Sequence, residues 1–290
     1  MNDFRPLYSE KAVLLLNQKI LSADESLIPF ALTDTLVAYS EQVQQPILHF
    51  WQLDQTMILG MKDTRVPHLA DALASLEKNH YNAVVRNSGG LGVIADTGTL
   101  NVSLILPQPS NHKFTIDEGY IFMWNWIRQA FEQTGKKIEA YEISSSYCPG
   151  TFDLSINGKK FAGIAQRRVR NGLAVMAYLS ISGDQQARGK TVQEFYHAGL
   201  RENFGTDGYP AVNPSVMENL AELLEYQLTI EETKEKLLTA FCDDGKQTIE
   251  TLDFSKWLSS PDVKQEYQKQ LEKMIQRNQQ LKEDQNDLFL

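Results

Sequence analysis

The sequence predicts an α+β fold: a mixed β-sheet with packed helices, continued by a helical C-terminal extension. Two observations predict it. Strand-like and helix-like segments follow one another without regular alternation, which disfavours a doubly wound sheet or a barrel of alternating strands and helices. Beyond residue 214 the strand signal fades and charged stretches of helical period take over. A chain of 290 residues, 42% hydrophobic and 22% charged, carries enough apolar material for a substantial core.

Residues 1–29 read as an irregular lead-in with one short amphipathic patch, Ala12–Leu16. A helix is expected over Ala31–Ser40, where Leu32, Leu36 and Val37 recur at helical spacing around Thr33, Asp34 and Thr35. Ile47–Gly60 holds two β-rich runs split by Leu53, Asp54 and Gln55, the pattern of a hairpin. Asp71–Asn79 reads as a short helix. Asn82–Arg86 reads as a strand, followed by the small-residue loop Asn87-Ser88-Gly89-Gly90. Leu100–Leu106 is another strand. Ile116–Thr134 has the strongest helix pattern, with Ile121, Trp124, Ile127, Ala130 and Phe131 spaced as a buried face and Gly135 at the C-cap position. Strands resume over Ile138–Ile143 and Thr151–Ser180, and residues 214–240 and 256–285 read as charged helices. These shifts predict a first domain over residues 1–230 and a helical extension over 231–290.

Several function classes are disfavoured. A formal net charge of −9, from 28 Lys+Arg and 37 Asp+Glu, argues against a nucleic-acid binder. No apolar run approaches the roughly 18–20 residues of a transmembrane helix, so no membrane partner is expected. The N-terminal segment has charges on both sides of its apolar patch, unlike a signal peptide. Two cysteines, Cys148 and Cys242, exclude a disulfide scaffold and suit a reducing cytoplasm. His49, His68, His80, His112 and His197 show no metal-ligand spacing, so no metal is expected. Gly89-Gly90-Leu91-Gly92 follows a strand but lacks the third glycine of a dinucleotide loop and the Gly-Lys-Ser/Thr end of a P-loop, so no cofactor is expected.

The informative stretch runs from Ser146 to Gln166. Asn157-Gly158 is the preferred central pair of a two-residue type I′ turn. In that register Ile156 pairs with Lys159, Ser155 with Lys160 and Leu154 with Phe161. Phe152, Leu154, Ile156 and Phe161 then share one face; Asp153, Ser155, Lys160 and Ala162 share the other. Lys159 and Lys160 therefore point to opposite sides. Cys148 stands before the hairpin, ahead of Pro149-Gly150, which bends the chain back over the polar face. A thiol, whose unperturbed pKa is about 8.5, becomes a good nucleophile when a cation favours the thiolate, and Lys160 is the candidate cation. The alternative is a loop thiol without a task. Cys242, beside Asp243 and Asp244, is expected to be inert.

At these residues the sequence resembles the lipoate/octanoate transferase and ligase family, which shares its catalytic fold with biotin protein ligases. Arg86-Asn87-Ser88-Gly89-Gly90 is similar to the family's Arg-x-Ser-Gly-Gly loop, and Gly98-Thr99-Leu100-Asn101 to its Gly-x-x-Asn strand. Asp153-Leu154 followed by Gly158-Lys159-Lys160-Phe161-Ala162-Gly163 is similar to its lysine motif. There the functional lysine stands three before the glycine, which selects Lys160. The resemblance covers about residues 31–230 and implies substrate-binding roles for Arg86, Ser88, Gly89, Gly90, Asn101 and Gly163. The run Ser146-Tyr147-Cys148-Pro149-Gly150, with its cysteine twelve residues before the lysine, is most similar to members that carry an acyl thioester on cysteine. In those members the lysine favours the thiolate. The resemblance thus implies acyl transfer through Cys148, assisted by Lys160. It implies the octanoylated glycine cleavage H protein as donor and lipoyl domains of 2-oxoacid dehydrogenase complexes as acceptors.

Two departures bear on the alternatives. Leu91 stands where members commonly have a third glycine, and Ala95-Asp96 lacks the histidine that many place before the aspartate. ATP-dependent ligases usually keep both features, so the pattern points away from adenylation. The remaining alternatives are an octanoyl-[acyl carrier protein] donor, an ATP-dependent lipoate ligase, and a non-catalytic acyl-binding scaffold. Lys159, Lys160, Arg167, Arg168 and Arg170 also form an acid-free run in an acidic chain. It reads either as a solvated strand edge or as a dock for an acidic carrier domain.

Overall fold

The computed structural model describes residues 4–8, 11–109, 112–169, 171–242 and 247–286. Its strands are β1 (Val13–Leu21), β2 (Ile47–Leu53), β3 (Thr56–Leu59), β4 (Asn82–Val85), β5 (Val93–Ala95), β6 (Thr99–Pro107), β7 (Glu139–Ala140), β8 (Leu154–Ile156), β9 (Lys159–Val169), β10 (Gly172–Ser180) and β11 (Ile249–Thr251). Its helices are α1 (Ile28–Val43), α2 (Leu69–Lys78), α3 (Ile116–Ala130), α4 (Gln185–Leu200), α5 (Leu220–Leu224), α6 (Ile230–Cys242), α7 (Phe254–Ser259) and α8 (Pro261–Asn286).

The strands form an eight-stranded mixed sheet of order β11-β1-β2-β6-β10-β9-β8-β7 and a three-stranded sheet of order β4-β3-β5. The architecture is α+β with C-terminal helices. One apolar core joins the large sheet to α3, α5 and α6. A second joins the small sheet to α2, α4 and α8, and a third lies against α1 and α7. The functional loops emerge from the small sheet and from the β8–β9 end of the large one.

Five local expectations are corrected. The presumed lead-in contains β1, which pairs in parallel with both β2 and β11. Its first residues, Val13, Leu14 and Leu16, are buried within the sheet, so they read as an apolar run without the alternation of a half-exposed strand. β2 and β3 do not form a hairpin, because β2 pairs with β1 and β6 whereas β3 pairs with β4 and β5. Asp54 and Gln55 instead carry the chain from one sheet to the other.

The helix α3 starts at a Thr115–Glu118 capping box, but its buried face is turned from the expected one. Gly119, Phe122, Met123, Trp126 and Ile127 are buried, while Ile121, Trp124 and Ala130 are half-buried. Contact with the sheet and with α6 together selects that arc. In the β8–β9 hairpin, Leu154 faces Ala162 and not Phe161, across a register shift between Leu154 and Ser155. Such a bulge places two residues opposite one, and Phe161 and Ala162 both enter the first core. Finally, β11 interrupts the helical C-terminal stretch and extends the large sheet beside β1.

Candidate active site

The turn of the β8–β9 hairpin has the expected chemistry. Asn157 and Gly158 lie at φ 51° and 76°, and positive φ at both central positions is the type I′ geometry. Ile156 pairs with Lys159 and Ser155 with Lys160. Lys159 is exposed and sits 3.6 Å from Glu218, whereas Lys160 is buried on the opposite side.

Lys160 Nζ donates to the carbonyl oxygens of Cys148 (2.8 Å) and Tyr147 (2.9 Å) and to Ser146 Oγ (3.1 Å). It also pairs with Asp153 Oδ1 at 2.9 Å. Burial pushes the Asp153 carboxyl above its ordinary value, by more than the Lys160 charge pulls it down. The lysine therefore serves as the post on which the cysteine loop is fastened. Tyr147 anchors the same loop from below, its hydroxyl 3.0 Å from that of Tyr178, which donates to Ile94 O at 2.7 Å.

The groups that touch the thiol come from elsewhere. Cys148 Sγ accepts the Leu91 N–H at 3.1 Å and lies 3.7 Å from Arg86 Nη2. The Arg86 fork also holds Gly89 O through Nε (3.1 Å) and Nη2 (2.9 Å), and Ile58 O through Nη1 (3.3 Å). A planar guanidinium can make all these contacts at once, which a lysine could not. The family resemblance implies only a substrate-binding role for Arg86. The Leu91 N–H has no counterpart among the expected site groups, since a backbone donor carries no residue signature.

Gly90 shows why the loop needs glycine. Its φ is +98°, and a Cβ there would stand 2.5 Å from Arg86 Nη2 and 3.0 Å from Cys148 Sγ. The strand end opposite is equally tight, because a Cβ on Gly60 would fall 1.9 Å from Gly90 O. Asp63, wholly buried, accepts the Gly60 N–H and the Tyr196 hydroxyl, each at 2.8 Å. Burial pushes its carboxyl up to about 6 despite those hydrogen bonds and the nearby Arg86 and Lys62 charges. Asn87 ties the loop to α1 by donating to Phe30 O at 3.0 Å.

All eight residues singled out in the sequence line one cavity of about 290 Å³: Arg86, Ser88, Gly89, Gly90, Asn101, Cys148, Lys160 and Gly163. Its walls are largely apolar, with Phe30, Trp51, Val93 and Met176 among them. Asn101 is buried, and its Nδ2 has no hydrogen-bond partner. A larger groove of about 880 Å³ runs along α3 and residues 135–141 but contains none of the eight.

Two other sequence features resolve differently. Asp96, which lacks the preceding histidine, is held by Arg188 through two 2.7 Å bonds and so braces the entry to β6. Among the described residues, the basic run is not a free patch. Lys160 is buried, Arg167 pairs with Asp34 and donates to Asn87 O at 2.6 Å, and Arg168 donates to Phe114 O and Thr115 O at 2.7 Å each. Arg170 lies outside the described residues, as do Asp243 and Asp244. Burial pushes the Cys242 thiol above its ordinary value. Among the described residues no group of three or more His, Cys, Asp and Glu side chains could hold a metal ion, and no helix is long and apolar enough to cross a membrane.

A thiol between an N–H donor and a guanidinium, facing an apolar cavity, is equipment for acyl transfer. A family model, the lipoyl protein ligase A/B catalytic domain, matches residues 25–242, and the chain belongs to that family of acyltransferases and ligases. It is similar to the octanoyl-[GcvH]:protein N-octanoyltransferase of Macrococcus caseolyticus, 42% identical over 253 residues that span 87% of this chain and 89% of the relative. Its fold matches a lipoate-protein ligase A bound with ATP, at TM-score 0.67 and 17% identity over 90% of this chain and 94% of that one. It also matches a bi-partite lipoate protein ligase from Thermoplasma acidophilum, described with its E2 lipoyl domain, at TM-score 0.64 and 18% identity over 90% and 92%.

Proposed function

We propose that the protein moves an octanoyl group from a lysine of the glycine cleavage H protein to a lysine of lipoyl domains of 2-oxoacid dehydrogenase complexes, through a thioester on Cys148. The carrying observation is the placement of Cys148 Sγ on the Leu91 N–H, beside Arg86, facing the apolar cavity. The donor is taken from the name of the 42%-identical relative, and the acceptor from the lipoyl domain described with the archaeal ligase.

In this reaction the Cys148 thiolate attacks the amide carbonyl carbon, forming the C–S bond as the carbonyl electrons move onto oxygen. Collapse breaks the C–N bond, and the donor lysine leaves after taking up a proton. An acceptor lysine in its free-base form then attacks the thioester. It loses its proton as the C–S bond breaks and the thiolate returns. Donors aimed at the developing oxyanion are worth about 3–4 kcal/mol each at most. Arg86 lies beside the sulfur and Lys160 fastens the loop that carries it, while Ser88, Gly89, Gly90, Asn101 and Gly163 line the acyl site. All belong to the proposed catalytic domain, residues 1–230, and a free thiol of this kind fits a reducing cytoplasm.

One amide is broken and one like amide is made, so the equilibrium constant is of order unity and no ATP is consumed. The test is to incubate the enzyme with octanoylated lipoyl domain and unmodified H protein without ATP. Octanoyl label appearing on the H protein is expected. Transfer that requires ATP, or that runs only from octanoyl-[acyl carrier protein], would contradict this assignment.

A further inference from the structure

We propose that Asn278, on the C-terminal helix α8, is a positioning residue for Arg86. The proposal rests on the reading of Cys148 and Arg86 as the reactive pair. β4 is an edge strand of the small sheet, paired with β3 alone, and its last residue, Val85, immediately precedes Arg86. On the free side of β4, Asn278 Oδ1 accepts the Val85 N–H at 2.7 Å and Nδ2 donates to Val85 O at 3.2 Å. That is the two-bond exchange a neighbouring antiparallel strand would make.

The carboxamide is itself oriented. Nδ2 also donates to Met274 O, one turn earlier on α8, at 2.9 Å. Val85, Asn278 and Met274 are all buried, so the main-chain groups of Val85 have no water to turn to. On the other side, the Arg86 N–H donates to Leu59 O at 2.9 Å. The backbone that launches the guanidinium is thus clamped between β3 and a side chain of α8. A misplacement of about 1 Å at a reacting group can cost about a hundredfold in rate. Arg86 must reach Gly89 O, Ile58 O and Cys148 Sγ from this one backbone position. The helix lies beyond residues 25–242 matched by the family model, so the clamp comes from outside the common catalytic domain.

The test compares full-length Asn278→Leu, Met274→Ala, Arg86→Ala and Asn278→Leu/Arg86→Ala. Each is read by Cys148 alkylation rate with iodoacetamide, kcat and KM for transfer, and Tm. Asn278→Leu is expected to lower alkylation and kcat about tenfold with KM unchanged, as for coupled residues sharing partners. Met274→Ala removes packing one turn away and is expected to lower Tm while leaving both rates within about twofold. In the Arg86→Ala background, Asn278→Leu should add no further loss. Rates that fall alike in Asn278→Leu and Met274→Ala, or losses that add to those of Arg86→Ala, would overturn the proposal. Should Asn278→Leu not fold, Asn278→Asp makes the same comparison, since it keeps an acceptor for Val85 N–H and loses both donors. An Arg86→Ala variant with unchanged rates would overturn the reactive pair itself, and this proposal with it.

Discussion

The Lys160 ammonium and Cys148 meet through the cysteine's own carbonyl oxygen, at 2.8 Å, while the thiol lies 3.7 Å from a different cation, Arg86. Cys148 sits at φ 46°, a left-handed conformation that costs a residue with a Cβ about 1–2 kcal/mol. The three hydrogen bonds from Lys160 to residues 146–148 offset that cost and hold the loop over the cavity. Two cations thus share the site, one securing the backbone and one touching sulfur.

Lys160→Ala should destabilise the protein by about 3–5 kcal/mol, because Asp153 would remain buried and unpaired. It should also slow alkylation of Cys148. Lys159→Ala removes an exposed pair and should cost no more than about 1 kcal/mol, with alkylation unchanged. Urea unfolding and iodoacetamide kinetics on both variants check this, and equal effects would mean the hairpin faces are wrongly assigned.

Arg86→Lys keeps the charge but cannot reproduce the fork that holds Gly89 O, Ile58 O and Sγ together. Transfer is expected to fall by about tenfold or more, with KM for the carrier proteins little changed, if the loss of one well-placed interaction costs about 1.4 kcal/mol. Steady-state kinetics measure it.

The buried carboxyl of Asp63 makes stability depend on pH. Its folded value is raised from 3.8 to about 6 by burial, so the folded state holds this proton more tightly than the unfolded chain. The stability this group contributes is full below about pH 4 and is lost as pH rises through 6. The change amounts to about 3 kcal/mol. Asp63→Asn lacks that proton equilibrium, so the variant should gain stability relative to wild type as pH rises from 4 to 7. Denaturant unfolding at the two pH values is the measurement.

Local chemistry was legible in the sequence and distant pairing was not. Asn157-Gly158 sets a turn by its own backbone preferences, and that turn placed Lys159 and Lys160 on opposite sides. The register failed one residue further on, because a bulge at Phe161–Ala162 answers to the core and leaves no mark in the turn. β1 and β11 were invisible for a related reason: β1 becomes a strand by parallel pairing with β2, which lies beyond the whole of α1, and β11 by pairing with β1 across more than 200 residues. The candidate residues were found as a set, but not which of them touches sulfur. That partner is a guanidinium 62 residues away in the chain, joined by a backbone N–H.

Cys148→Ser should be nearly as inactive as Cys148→Ala, because a hydroxyl beside these cations is far less ionised than a thiol. Both variants should keep their fold, since the thiol is only half-buried and little packing is lost. Circular dichroism and Tm alongside ATP-free transfer assays separate lost chemistry from lost structure.

In the proposed reaction the acyl group travels on Cys148 Sγ. The most direct measurement is the intact mass of the enzyme, quenched in acid during incubation with octanoylated H protein. A thioester lies above an amide in free energy, so a small population one octanoyl group heavier is expected. It should be labile to hydroxylamine, absent from Cys148→Ala, and chased away by unmodified lipoyl domain. Undiminished transfer by Cys148→Ala, or a hydroxylamine-stable adduct on another residue, would show that the acyl group does not travel on Cys148.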